Sequence, residues 1–311
     1  MARFVLRRIA FMLITFWVVI SVAFLLLRLA PGGPFDGDRR MPPEVEANLL
    51  NAYNLDEPLY IQYGRYVWDL LRFDLGPSIK HHDFTVSELI AAGLPVSLTV
   101  GALALVIALV LGVPIGSIAA FRHNSWLDNC LSSSTTFGLA LPPIVTGPLF
   151  VLLFAVMLQW LPAGGMDSAS SLILPSIALA IPHAAAIAKL MRGSCIDTLG
   201  QNHILTARSK GLNSVRLAIH HVLPSAMIPV LSFLGPAAAT LIAGSLVIEE
   251  VFSLPGLGRY FVQGALNRDY TLVMGGVVVY AGLILLLNFV VDTLYFRFDP
   301  RIRSQKQSEA L

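Results

Sequence analysis

The residues whose types and spacing could do chemistry are concentrated in one polar segment, residues 189–224, between two long apolar runs. Basic side chains lie on both sides of Gly211, at Arg208, Lys210 and Arg216. This pattern offers positive charge around a turn rather than a nucleophile or an acid–base pair. A membrane-embedded chain has little use for so long a basic segment unless the segment contacts something soluble, so we expect a docking surface here.

The same segment predicts two short helices joined by a turn. Residues 197–208 can form the first helix, Gly211 can take the positive φ of a sharp turn, and Asn213 can cap the second helix. The second helix is predicted to carry an apolar stripe at helical spacing. The stripe consists of Val215, Ala218, Ile219 and Val222. Residue chemistry alone leaves two interpretations open, a protruding knob that docks on another chain and an amphipathic pair that rests on lipid headgroups.

Sequence patterns for catalysis are missing. Neither the phosphate-binding pattern G-x-x-x-x-G-K-[ST] nor the zinc pattern H-E-x-x-H occurs. Cys130 and Cys195 are too few for a disulfide framework or a cysteine-only metal site. We therefore expect no catalytic residue and no metal site. An intramembrane hydrolase, a structural scaffold and an ion-coupled secondary transporter remain minor alternatives, since the midspan carboxylates that the last would favour are scarce.

The elements that must position the polar segment are membrane helices. Of the 311 residues, 56% are hydrophobic and 13% charged, and the mean hydropathy is +0.72. About 20 helical residues cross the hydrocarbon core, and backbone groups in lipid must be paired within their own element. We therefore predict an all-α membrane protein with six transmembrane helices. The predicted spans are residues 9–29, 96–120, 133–158, 171–188, 226–248 and 272–295.

Basic residues predict the orientation of these spans. With the N-terminus in the cytoplasm, thirteen of the 21 lysines and arginines fall on the inner side, as the positive-inside rule requires. Both termini and residues 189–224 are then cytoplasmic, and residues 31–93 form a long outer segment. Prolines interrupt spans three to five, which are predicted to flex or to line a cavity because the freed carbonyls need partners.

Several motifs together resemble one family. Gly211, nine further residues and then x-x-Leu223-Pro224 have the spacing of the EAA loop of binding-protein-dependent ABC importer permeases. Residues 206–212 are similar to the version in B-type subunits of oligopeptide and dipeptide permeases. Leu205 stands where the family has its eponymous glutamate. Further similar motifs, which extend the resemblance over nearly the whole chain, lie at residues 29–34, 249–258, 265–270 and 299–303.

The resemblance implies a type I ABC importer permease fold with a periplasmic segment after the first helix and a cytoplasmic coupling helix. It divides the chain into a first helix, a periplasmic segment, a permease core that includes the coupling loop 189–224, and a cytoplasmic tail. These regions are residues 1–30, 31–93, 94–297 and 298–311. The implied location is the bacterial inner membrane.

The implied function is a permease subunit that imports peptides, most closely oligopeptides, by alternating access. Dipeptides, nickel or another small solute are alternatives within the same family. ATP and Mg²⁺ would be bound by two cytoplasmic ABC ATPase subunits, and this chain would bind no cofactor. A homologous C-type permease, a periplasmic substrate-binding protein, a peptide and membrane lipid are the other implied partners, and nucleic acid is not one.

Roles in ATPase coupling follow from the resemblance for one set of residues. Gly211 and Pro224 are expected to be the turn and the stop of the knob, and Ala207 a close-packed contact. The set is Thr206, Ala207, Arg208, Lys210, Gly211, Arg216, His221, Leu223 and Pro224. Of these, Thr206 and His221 depart from the family pattern, which weakens any assignment of docking to a single side chain.

A second set of candidates lies away from the coupling loop. Glu249 and Glu250 are predicted to end the fifth span at the outer face, where they could receive a peptide or contact the binding protein. Exposed helix-end carboxylates without such a role are the simpler interpretation. Pro142 and Pro143, which interrupt the third span, are candidates for the translocation path.

Overall fold

A computed structural model describes residues 2–298, apart from positions 36–41, 43, 45–47, 49, 52 and 82. Within those residues the named elements are all helical. They are α1 (Ala2–Leu29), α2 (Leu59–Leu71), α3 (Val86–Phe121), α4 (Trp126–Ala140), α5 (Pro143–Phe150), α6 (Ile173–Leu199), α7 (Asn202–Ser209), α8 (Ser214–Leu217), α9 (Leu223–Val251), α10 (Leu257–Leu266) and α11 (Tyr270–Phe298). A π-helical turn follows α5 and another joins α8 to α9, at Val151–Met157 and Ala218–Val222. The predicted all-α class is confirmed.

The described part of the chain holds five straight helical segments that are long and apolar enough to cross a membrane. They are α1, α3, α6, the continuous run from α8 to α9, and α11. The predicted third span is instead a pair, α4 and α5, bent by 99°. Two prolines cause the bend, because Pro142 precedes another proline and is held in an extended conformation with ψ 137°. Counted as one broken span, this pair completes the predicted six.

The core of the bundle is the packing of α3 against α6 and of both against α9. Glycines on α3 permit the first of these contacts, because a Cβ on Gly112 would lie 2.7 Å from the carbonyl oxygen of Ala184. Ile187 and Met191 on α6 and Val230 on α9 are fully buried in the same cluster. Small residues that let helix backbones approach closely are typical of membrane bundles.

The first helix lies at the edge of this bundle. It packs on α11 and α2, and Ile20 and Phe24 are its buried hydrophobic residues among those whose side chains are described. Most of its other apolar side chains are exposed, as expected for a helix surrounded by lipid. Its end at Leu29, two residues before Pro31, agrees with the predicted stop.

Two parts of the predicted organisation lie outside the described residues. Most of residues 36–49, in the first part of the predicted outer segment, are not described. The predicted cytoplasmic tail falls in the same category from residue 299 onward. What is described of the long segment after α1 includes α2, which contacts α1, and the loop that leads into α3.

Candidate functional site: the knob between α6 and α9

The polar segment forms a knob at one end of the bundle. The knob consists of α7, the turn at Gly211, α8 and the π-helical turn Ala218–Val222. Gly211 has φ +77°, as the predicted turn requires. The amide of Gly211 donates to the carbonyl of Arg208 (2.9 Å), and the amide of Leu212 donates to the carbonyl of Ala207 (3.4 Å). This pair of hydrogen bonds is a Schellman motif, in which a left-handed glycine ends a helix. The turn is therefore a fixed feature of the backbone.

Four apolar side chains anchor the knob to the bundle. Ile204 and Ala207 on α7 are 0% and 7% exposed, and Leu217 and Val222 are 3% and 0% exposed. Leu217 and Val222 are five residues apart across the π-helical turn, and that spacing places them on one side of a helix with i→i+5 hydrogen bonds. The close packing expected of Ala207 is thus made within this chain.

Three details of the predicted knob are wrong: the start of its first helix, its apolar stripe and its stop at Pro224. The first helix begins at Asn202, not at residue 197, because α6 continues to Leu199. The predicted single apolar stripe is divided between two faces: Val215 and Ile219 are 64% and 53% exposed, whereas Val222 is fully buried. The π-helical turn changes the helical period on which the stripe was based.

The expected stop at Pro224 is also absent. Pro224 lies in the first turn of α9, and helical structure runs without a break from Ser214 to Val251. Proline has no N–H to donate to the carbonyls of the preceding π-helical turn. This loss does not end the helix, because a proline is tolerated in the first turn of an α-helix. α8, the π-helical turn and the membrane helix α9 therefore form one continuous helical segment that can move as a unit.

The outer surface of the knob combines apolar and basic groups. Leu205, Val215 and Ile219 are all more than half exposed. Among the candidate coupling residues, six are exposed, two are half-buried and Ala207 is buried. The exposed ones are Thr206, Arg208, Lys210, Gly211, Arg216 and Pro224, and the half-buried ones are His221 and Leu223. Exposed apolar side chains with a basic surround are typical of a surface that contacts another protein.

A buried ion pair fixes the bundle behind the knob and was not recognised in the sequence. Asp128 on α4 is 1% exposed and accepts from both Nε and a terminal nitrogen of Arg192 on α6, at 2.6 and 2.8 Å. The amide of Asn124 and the hydroxyl of Ser132 also donate to this carboxylate. A bidentate pair with extra donors is strong and specific in its geometry. Asp128 lies in a mostly polar stretch, beside Asn129 and close to Arg122 and His123, so the local sequence gave no signal of its burial.

The predicted outer candidates lie at the opposite end of the bundle and have different surroundings. Glu250 is exposed, but Glu249 is fully buried. One Glu249 oxygen, Oε2, accepts from the amide of Gly258 at 2.7 Å. A Cβ on Gly256 or Gly258 would collide with this carboxylate. Glu249 therefore holds the start of α10 against α9, and a direct contact with a peptide or binding protein needs Glu250 instead.

Asp269, between α10 and α11, is a second fully buried carboxylate that sequence reasoning missed. It accepts from the Ser78 hydroxyl and from the amides of Ile79 and Lys80, at 3.2 and 3.1 Å for the amides. Burial alone would raise the pKa of Asp269, but the hydrogen bonds from Ser78 and from the amides, including that of Leu272, together lower it. The carboxylate is thus charged and ties the loop before α3 to the start of α11.

Comparison with known proteins identifies this architecture. Residues 112–304 match the family described as binding-protein-dependent transport system inner membrane component. This chain belongs to that family. It is therefore a multi-pass membrane permease subunit of the ABC importer type.

Individual relatives cover almost the whole chain. The oligopeptide transport system permease protein OppB of Haemophilus influenzae is 46% identical over 97% of this chain and 100% of its own length. The protein of that name from Salmonella typhimurium is 44% identical over 97% of this chain and 100% of its own length. The dipeptide transport system permease protein DppB of Bacillus subtilis is 38% identical over 99% of this chain and its own full length.

A solved structure supports the fold. An inward-facing form of the MetNI methionine ABC transporter matches with a TM-score of 0.59 at 18% identity, covering 67% of this chain and 95% of its own. At that identity the match concerns the fold alone. The predicted type I ABC importer permease fold is confirmed.

Proposed function

We propose that this chain is the permease subunit of an importer for oligopeptides. The observation that carries the proposal is the similarity of 46% over 97% of the chain to an oligopeptide permease, which is higher than the 38% to a dipeptide permease. The similarity includes α1, α2 and the outer loops, so it is not confined to the shared permease core. This chain is the non-catalytic part of the machine and binds no nucleotide itself.

Transport is driven through the knob. Its exposed apolar residues, Leu205, Val215 and Ile219, and the basic groups around them seat in a groove of a cytoplasmic ABC ATPase. Because α8 continues through the π-helical turn into α9, a movement of the ATPase is transmitted directly to a membrane span. The turn at Gly211 is held by its two backbone hydrogen bonds, so α7 and α8 keep a fixed angle and move together with α9.

The other partners follow from this arrangement. The knob end is cytoplasmic, together with both termini, and the opposite end faces the periplasm of a bacterial inner membrane. A C-type permease completes the translocation path, and a periplasmic substrate-binding protein delivers the peptide near Glu250. The bend at Pro142 and Pro143 gives α4 and α5 different directions, so α5 and its π-helical turn can move without α4.

Reconstitution tests the substrate and the energy source together. The complete importer in proteoliposomes is expected to take up a labelled pentapeptide when its own binding protein and ATP are supplied. A labelled dipeptide is the control substrate, and its uptake should be much slower than that of the pentapeptide. Faster uptake of the dipeptide would move the assignment to the dipeptide branch. Uptake that follows a proton gradient and ignores ATP would contradict the proposal altogether.

A further inference from the structure

A polar cleft lies where α2 meets the end of α1 and the start of α11. Its two adjoining parts have volumes of about 100 and 220 Å³, whereas one water needs only about 10–15 Å³. Both parts are lined by Arg28, Gln62, Tyr66 and Thr271. The smaller part adds apolar residues such as Phe24 and Met274. The cleft is far from the knob and is not used by the coupling mechanism.

Four buried polar atoms at this cleft have no hydrogen-bond partner among the described residues. Two are donors, Nε of Arg28 and the hydroxyl of Tyr66, and two are acceptors, Oε1 of Gln62 and Oε2 of Glu57. All four residues line the larger part of the cleft. Leaving a buried polar atom unpaired costs about 1–3 kcal/mol, so four such atoms around one space favour a ligand that offers both hydrogen-bond acceptors and donors.

The surrounding contacts fix what the atoms of Gln62, Tyr66 and Glu57 can do. Oε1 of Glu57 already accepts from Arg65 at 2.8 Å, so only Oε2 is left for a ligand. The amide nitrogen of Gln62 donates to the carbonyls of Leu55 (3.0 Å) and Glu57 (2.7 Å), so Oε1 cannot exchange places with it and must meet a donor. Burial raises the pKa of Tyr66, which keeps its hydroxyl neutral and able to donate. Gln62 is 8% exposed, so bulk water does not satisfy its oxygen.

The depth of the cleft points to the membrane surface. The Tyr63 hydroxyl of α2 is 2.6 Å from the Ser21 hydroxyl of α1, two helical turns before the end of that helix. The opposite face of α2 exposes Tyr60, Trp68 and Leu71 by 76%, 55% and 69%. Aromatic residues are enriched where a membrane meets water. α2 therefore lies in the interface with its apolar face toward lipid, and the cleft behind it is at headgroup depth.

We propose that this cleft binds the headgroup of an aminophospholipid, with the phosphate on Arg28 and Tyr66 and the ammonium on Glu57 and Gln62. Arginine matches phosphate geometry well, and an ammonium supplies the N–H donors that both unpaired acceptors need. The apolar residues in the smaller part of the cleft accommodate the start of the acyl chains. A bound lipid would join α2 to α1 and α11 and keep the outer segment on the membrane.

Removal of the Tyr66 hydroxyl tests the proposal, because it should weaken the binding of the lipid. The full-length protein is purified in detergent, stripped of lipid and titrated with dihexanoyl phosphatidylethanolamine while bound lipid is counted by native mass spectrometry. The wild type is expected to bind one molecule, and Tyr66→Phe should bind about tenfold more weakly, the loss expected for one hydrogen bond to a charged group. Tyr60→Phe, on the exposed face of the same helix, is the matched control and should bind as the wild type does.

Other ligands separate the possible occupants. Dihexanoyl phosphatidylcholine keeps the phosphate but has no N–H donor, so its binding should also be about tenfold weaker. Equal binding of the two lipids, or normal lipid binding by Tyr66→Phe, would overturn the proposal. Tyr66-dependent binding of trialanine in preference to lipid would also overturn it, because the cleft would then be a peptide subsite.

Discussion

The two ends of the bundle are held together in different ways. At the end that carries α10, two fully buried carboxylates accept hydrogen bonds, Glu249 from the amide of Gly258 in the first turn of α10 and Asp269 from the distant loop before α3. At the knob end, α7 and α8 are fixed by four buried apolar residues and a local glycine turn, and their outer surface is exposed. Buried carboxylates therefore hold the loops at one end, whereas the knob itself, in front of the Asp128–Arg192 ion pair, presents its charges and apolar side chains outward.

This difference shows that the fold uses separate regions for fixed internal contacts and for contacts with another protein. A buried carboxylate with several donors has one low-energy arrangement, since losing any donor leaves a charge unsatisfied. The side chains of an exposed apolar surface favour no single arrangement until a partner protein covers them. The locked end suits loops that must stay in register while spans move, and the knob suits a surface that is completed by another protein.

The largest expected effect is the loss of the Asp269 lock. Asp269→Asn replaces a charged acceptor by an amide whose NH₂ faces backbone donors, so we expect a loss of about 3 kcal/mol in the free energy of unfolding. Thermal unfolding of the purified protein in detergent measures it. Asp167→Asn, at an exposed position, is the matched control and should change stability by less than about 0.5 kcal/mol. Equal stability of the two variants would show that the end is not locked by this carboxylate.

The same carboxylate predicts how stability depends on pH. Its pKa is lowered in the folded chain, so its contribution is fully present above the ordinary aspartate pKa of about 3.9 and is lost as the pH falls through the folded value. The difference between the unfolding midpoints of the wild type and Asp269→Asn, compared between pH 7 and pH 3, is expected to be constant above about pH 4 and to narrow below it. A constant difference between them across this range would contradict the lowered pKa.

At the knob, strain at Gly211 should affect coupling more than stability. Valine at φ +77° costs about 1–2 kcal/mol. Gly211→Val is expected to lose ATPase docking and with it ATP-driven uptake, while the protein remains in the membrane. Gly76→Val is the matched control, because Gly76 has φ +78° and equally open surroundings but lies at the other end. It should lose similar stability and retain ATPase docking. Gly211→Asn should restore uptake in part, since asparagine tolerates this conformation.

Normal uptake by Gly211→Val would contradict the role of the turn. Equal loss of ATPase docking in Gly76→Val would mean that left-handed strain anywhere disrupts the complex, and the contrast between the two ends would fail.

The sequence was informative where function depends on local backbone geometry. The turn at Gly211, the cap at Asn213, whose oxygen accepts from the amide of Val215 at 3.2 Å, and the break at Pro142 were all predictable from residue types. The exposed positions of the knob were not, because a π-helical turn replaced the assumed α-helical period.

The buried carboxylates were not predictable either. Ser78 and Asp269 are 191 positions apart, and no local pattern reveals such a pairing. Glu249 follows an apolar run and gives the same sequence signal as an exposed helix end. Only the position of Gly256 and Gly258 against it, with no space for a side chain, shows that the carboxylate is internal.

The smallest expected effect on stability separates the two sides of the knob. Ile219 is 53% exposed and Leu217 is 3% exposed, although both belong to the same helical run. Ile219→Ser should change the free energy of unfolding by less than about 0.5 kcal/mol and yet reduce the amount of ATPase that co-purifies with the permease. Leu217→Ser removes a buried anchor and should cost about 2–5 kcal/mol. If Ile219→Ser retained the full amount of ATPase, the exposed apolar surface would not be the docking contact, and the basic side chains around it would have to supply the attraction.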